Sequence, residues 1–160
     1  MDVKTNKVVR FIFSIAVCQA AGVIGSIFTM QSIPVWYAFL KKPIFAPPNW
    51  LFAPVWVTLF ILMGVSLYLV WGKGLNKQVK KGLLIFFMQL FLNILWSFLF
   101  FGLRSPLYGF IEIIVLWISI LITISKFYKI SKNAGLLLLP YIAWVTVASF
   151  LNYYIWILNL

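Results

Sequence analysis

Glu112 is one of only two acidic side chains in 160 residues, the other being Asp2, and it lies in a stretch otherwise composed for lipid. A carboxylate at that depth is costly, so such groups usually face a bundle interior or cavity and mark function. The chemistry open to the chain is narrow. It has no His and a single Cys, Cys18, which excludes a zinc site, His-ligated haem, an intrachain disulfide and the usual nucleophile–base pairs. Glu112 has no second membrane carboxylate with which to form an acid/base pair, and no glycine-rich phosphate loop appears. What remains is indole and phenol: eight Trp and seven Tyr, suited to stacking on a large planar apolar ligand. No metal and no obligatory cofactor is expected.

The elements that must position these groups can be read from the hydropathy pattern. The chain is 64% hydrophobic and carries 13 basic and 2 acidic side chains, far below the roughly one-quarter charged residues of a soluble domain. Near-uncharged runs occupy residues 11–40, 43–72, 82–103, 105–125 and 133–160. Each supplies the ~20 apolar residues that cross ~30 Å of hydrocarbon as a helix. The alternating ~10-residue segments of a β-barrel are absent. The fold class is therefore an all-α membrane protein, a single domain over 1–160 built as a bundle of five transmembrane helices. The spans are expected at about 8–29, 54–71, 79–101, 106–125 and 136–158. Although the first run begins after a basic start, its apolar part continues to about Thr29, too long for a signal peptide, so it is read as a retained span.

The net charge of +11 would suit a nucleic-acid binder, but its distribution argues for a membrane. Lys4, Lys7, Arg10, Lys73, Lys77, Lys80, Lys81, Lys126, Lys129 and Lys132 fall on one side of a five-span topology, and Lys41, Lys42 and Arg104 on the other. The positive-inside rule then places the N-terminus in the cytoplasm and the C-terminus outside, as in a bacterial cell membrane.

The longest connection, residues 31–53, is aromatic and proline-braced. Pro34 suits the opening of a short helix reaching Leu40, and Pro43, Pro47 and Pro48 stiffen the remainder of the connection into extended structure. With Trp36, Phe45 and Trp50 it reads as a lid on the outer side; the alternative is an interfacial aromatic belt. At 1.5 Å per residue, Asn93, Trp96, Glu112 and Asn152 all lie roughly 8–12 Å below that surface. Trp56 is at similar height. Gln89, Asn93, Trp96 and Phe100 form one helical stripe, and Trp144, Ala148 and Asn152 another. Ala148 between two large side chains would leave a gap for a flat ligand. The alternative is that the amides and Glu112 only join helices by hydrogen bonds. In the first span, the pairs Ala21/Gly25 and Gly22/Ser26 let another helix approach, and packing within the same bundle is favoured over a dimer face.

The blocks Trp36-Tyr37, Lys42-Pro43, Pro47-Pro48-Asn49-Trp50 and Pro54-Val55-Trp56 resemble the TspO/MBR family, the tryptophan-rich sensory and translocator proteins. The similarity continues through Gln89, Asn93, Trp96 and Ser97, and closes with Pro140-Tyr141, Trp144 and Asn152-Tyr153-Tyr154. The resemblance implies a five-helix bundle, often a homodimer, whose pocket is closed by the first loop and takes porphyrins such as protoporphyrin IX. It carries pocket positions to Tyr37, Trp56, Asn93, Trp96, Trp144 and Ala148, with Glu112 matching an acidic position in the fourth helix. Phe45 departs from the family's usual Trp. No basic residue comes after Tyr153 or Tyr154 where a cholesterol-recognition pattern asks for one, so cholesterol is not expected. The leading expectation is a membrane receptor or sensor for porphyrins and similar planar molecules. Light-dependent porphyrin degradation is the alternative, and tetrapyrrole transport is less favoured because no internal repeat is visible.

Overall fold

The computed structural model describes the backbone of residues 3–160 and the side chains of residues 7–160; Asp2 and the side chain of Lys4 lie outside the described residues. Helices α1 (Val3–Ser32), α2 (Asn49–Trp71), α3 (Lys77–Ser97), α4 (Pro106–Ile130), α5 (Lys132–Leu136) and α6 (Leu139–Leu158) succeed one another, with no strand among the described residues. Five helical segments are long and apolar enough to cross a membrane: Lys7–Ser32, Asn49–Trp71, Lys77–Gly102, Pro106–Ile130 and Lys132–Leu158. The last combines α5 and α6, joined at Leu137 and Leu138, with Pro140 in the first turn of α6.

Local signals set the helix ends. The Asn76 side chain accepts the Val79 N–H at 3.0 Å and caps α3. The Ser105 side chain accepts the Tyr108 N–H ahead of Pro106 at the start of α4. Between α3 and α4 the helix widens into a π-helical turn, Phe98–Gly102, closed by the Leu103 N–H on the Phe98 carbonyl at 2.8 Å. Arg104 then takes a left-handed φ of 52° to redirect the chain.

One boundary differs from the sequence expectation. Pro54 lies inside α2, which begins at Asn49, with Pro48 in extended conformation as its N-cap. Proline removes one N–H, the partner of the Trp50 carbonyl. Trp50 is exposed in the first turn, where solvent can take that carbonyl over. The helix therefore tolerates the proline and gains a turn.

Packing is closest where glycine meets a neighbour. A Cβ on Gly64 would fall 2.8 Å from the Ile15 backbone, so α1 and α2 approach main chain to main chain. A Cβ on Gly22 would lie 2.6 Å from the Phe60 ring, and one on Gly25 3.0 Å from the Ser97 hydroxyl. The small residues of α1 therefore serve contacts with α2 and α3 of the same bundle. Helix α4 packs between α3 and α6.

Candidate ligand site

The loop between α1 and α2 folds inward at its first half. A single 3₁₀ turn, Tyr37–Phe39, carries Tyr37 into the core, where it is 2% exposed. The Tyr37 ring meets Phe52 at 6.3 Å, Phe100 at 6.2 Å and Phe101 at 5.7 Å. Trp36 lies edge-on to Phe100 at 5.4 Å. The Lys42 ammonium sits 4.6 Å over the face of the Tyr37 ring, and donates to the Ala38 and Leu40 carbonyls. The loop is also tied to the far end of the chain: Lys41 N–H donates to Asn159 Oδ1 at 3.0 Å, and Asn159 Nδ2 donates back to the Lys41 carbonyl at 2.9 Å.

Beneath Tyr37 the rings form a continuous series. Trp144 of α6 meets Phe52 at 6.1 Å, and Phe52 meets Tyr37. Phe100 stacks on Trp96 at 5.7 Å and 16°, and Trp96 lies 6.3 Å from Trp56. Trp56 in turn stacks on Phe60 and stands edge-on to Tyr141. The series draws on α2, the loop, the π-helical turn, α3 and α6. Gly109 of α4 lets it close, because a Cβ there would lie 2.5 Å from Phe100 and 3.1 Å from Asn152 Oδ1.

Polar groups at this level divide into two sets. Asn93 Nδ2 donates to the Tyr141 hydroxyl at 3.0 Å, and that hydroxyl donates to Gln89 Oε1 at 3.0 Å. Trp96 Nε1 donates to Asn152 Oδ1 at 3.2 Å, while Asn152 Nδ2 donates to the Ala148 carbonyl at 2.8 Å. The first three of these bonds tie α3 to α6, as the helix-joining alternative anticipates, and the last lies within α6. The second set has no protein partner: the Tyr37 hydroxyl, Gln89 Nε2, both Glu112 oxygens and Trp144 Nε1. Buried polar atoms without partners are few in folded proteins, and each calls for a reason such as a place for water or ligand. The phenol responds to its surroundings as expected, since burial pushes Tyr37 up to about 12.

The sequence-derived positions thus separate by role. Tyr37, Trp56, Trp96 and Trp144 share the ring series, Asn93 and Asn152 bridge helices, and Ala148 is buried beside Asn152. Glu112 is 6% exposed on α4. Among the lid residues, Trp36 faces inward, and Pro43 and Pro47 are half-buried. Phe45 turns to the outer face of α6, edge-on to Tyr154 at 5.5 Å. Trp50, expected in the lid, lies in the first turn of α2 and is 73% exposed. Three contributors escaped the sequence reading as site residues: Phe52, Tyr141 and Asn159. Tyr141 carried a signal, lying three residues before Trp144 on the same helix. Phe52 and Asn159 carried none.

Two open grooves lie away from this layer, on the lipid-facing side of α6. One of about 350 Å³ is lined by Phe45, Val147, Phe150 and Tyr154, and one of about 510 Å³ includes Phe110, Trp117 and Tyr153.

Comparison with known proteins places this arrangement among relatives. A family model described as the TspO/MBR family matches residues 14–157. The chain is 48% identical over 154 residues to the "Tryptophan-rich protein TspO" of Archaeoglobus fulgidus, covering 95% of this chain and 98% of that one. It is 46% identical to the protein of the same name in Chlorobaculum tepidum, over 96% and 98% of the two chains. The human "Translocator protein" is 36% identical over 83% of this chain and 80% of its own.

Proposed function

The chain belongs to the TspO/MBR family, and from that premise we propose that it is a membrane receptor or sensor for planar tetrapyrroles such as protoporphyrin IX. It is a multi-pass integral membrane protein of sensory or translocator type. The observation that carries the ligand reading is the closed aromatic series under Tyr37, bordered by polar atoms without partners. A flat macrocycle offers ring faces to Trp56, Trp96 and Trp144 and peripheral or central polar atoms to Glu112, Gln89 and Tyr37. Each indole exchanges a protein ring for a ligand ring, so stacking lost in one place is recovered in another. The unpartnered groups gain bonds, which gives the bound state its advantage.

Entry needs room that the closed state fills with side chains. Lifting the Tyr37 turn provides it, at the cost of the Lys41–Asn159 pair of hydrogen bonds. In this reading the N-terminus is cytoplasmic, so the lid opens to the outer side.

Titration of the purified protein with protoporphyrin IX in the dark, monitored by tryptophan quenching, tests the proposal against the Trp56→Phe, Trp144→Phe double variant. Saturable binding weakened at least about tenfold in the variant supports it, since a stacked base or ring is worth roughly 1–3 kcal/mol. Equal, weak quenching in both proteins would remove the tetrapyrrole from this site.

A further inference from the structure

A second feature of the molecule lies at the opposite end of the bundle and is not used by the aromatic site. Lys77, Lys80, Lys81 and Leu84 line an open groove of about 370 Å³ on the first two turns of α3. Their spacing, i, i+3, i+4 and i+7, puts all four on one face. All three lysines are exposed.

Among the described residues, no carboxylate side chain compensates that charge. The first turn of α3 holds no acidic residue, and the chain's two carboxylate side chains are Asp2 and the buried Glu112. Cations at a helix N-terminus also oppose the helix dipole, which favours an anion at that place. The charge density rises further through the neighbouring helix. A Cβ on Gly82 would lie 3.1 Å from Ile130 and 3.5 Å from Phe127, so the start of α3 meets the end of α4. The lysines at 126, 129 and 132 are therefore at the same level.

The face does not end at the charges. Below Leu84 it continues through Phe87, Met88 and Phe91, all exposed. From Leu84 to Phe91 this apolar stripe runs about 10 Å along the axis. A phosphate at the lysines and a hydrocarbon chain along the stripe match it in charge and in polarity.

We propose that this face of α3 is a binding site for an anionic glycerophospholipid, its phosphate held by Lys77, Lys80 and Lys81 and an acyl chain lying along Leu84 to Phe91. Basic pockets at the ends of membrane helices recognise anionic headgroups in this way. The site is independent of the tetrapyrrole reading.

Native mass spectrometry of the detergent-solubilised full chain reads the site directly, with dioleoyl-phosphatidylglycerol and dioleoyl-phosphatidylcholine added at equal concentration. The expected result is retention of the anionic lipid over the neutral one by about tenfold, a preference allowing for partial screening of three lysines. The Lys77→Gln, Lys80→Gln, Lys81→Gln variant should lose that preference. The Lys126→Gln, Lys129→Gln, Lys132→Gln variant removes equal charge and should keep most of it. Equal losses in the two variants, or no preference in the wild type, overturn the proposal. Displacement of the lipid by millimolar inorganic phosphate would also overturn it, since the site would then take a free anion and owe nothing to the apolar stripe. A lipid-free dimer in the same spectra, lost when Phe91 is replaced by Lys, would assign the stripe to a second copy instead. Circular dichroism of each variant confirms that the helices are retained.

Discussion

The Tyr141 hydroxyl makes two hydrogen bonds between helices, accepting from Asn93 and donating to Gln89. Hydrogen bonds between membrane helices average about 0.6 kcal/mol and reach about 1.7. Tyr141→Phe removes two of them together, and is expected to cost about 1–3 kcal/mol in unfolding measured by denaturant titration in mixed micelles. A cost near zero would show that Asn93 and Gln89 re-pair without the phenol. Tyr37 offers a different test, because it lies in the loop and its hydroxyl has no partner. Burial raises its pKa from 10 to about 12 in the closed state. The contribution of the neutral phenol to closure is then fully present below pH 10 and is lost as pH rises through about 12. The phenolate absorbance of wild type minus Tyr37→Phe should titrate near pH 12. A difference curve centred near pH 10 would mean that the lid is open in solution. The subtraction removes the absorbance of the six other tyrosines.

At the scale of elements, the lid is held mainly by rings inside and by one side chain outside. Asn159 makes two hydrogen bonds with Lys41, both exposed, worth about 0.5–1.5 kcal/mol each. Asn159→Ala should therefore speed lid opening and raise the ligand dissociation rate about tenfold, read by stopped-flow tryptophan recovery. An unchanged rate would place the barrier in the rings alone. Gly109→Ala tests the rings, because its Cβ would overlap Phe100 and crowd Asn152. Such overpacking costs about 1–3 kcal/mol, visible as a lower midpoint in thermal unfolding. These elements differ in how far the sequence revealed them. Hydropathy and charge located the five crossings, since each must satisfy its backbone internally over a fixed thickness. The depth argument brought Asn93, Trp96 and Asn152 to one level, and two of them bond directly. Pattern reading took Pro54 as a helix start, because it scores a proline by what it forbids and not by whether solvent can serve the freed carbonyl. The π-helical turn at Phe98–Gly102 and the Lys41–Asn159 tie depend on contacts between distant segments and leave no periodic trace.

Across the whole molecule, charge and connectivity are arranged on the same axis. Asn159 meets the first loop at one end, and the start of α3 meets the end of α4 at the other. The two ends carry unequal charge: ten basic residues flank the α3 start and its neighbours, against Lys41, Lys42 and Arg104 at the lid. If that bias sets insertion, its direction is adjustable by number. Replacing Lys73, Lys77, Lys80 and Lys81 by Gln leaves six basic residues against three, and the orientation should hold. Replacing Lys126, Lys129 and Lys132 as well leaves three against three, and the protein should insert both ways. A phosphatase active only after export, fused behind Leu160, reads the outcome in bacterial cells. The wild type and the first variant should give full activity, and the second about half, the remainder facing inward and accessible only after lysis. The apolar middles of the helices are untouched by these changes, because every replaced lysine lies at a helix end or between helices. Full activity in the second variant would assign orientation to the apolar segments and their order of insertion. It would also free the basic end of the bundle from a topological duty, leaving lipid binding as its chemical one.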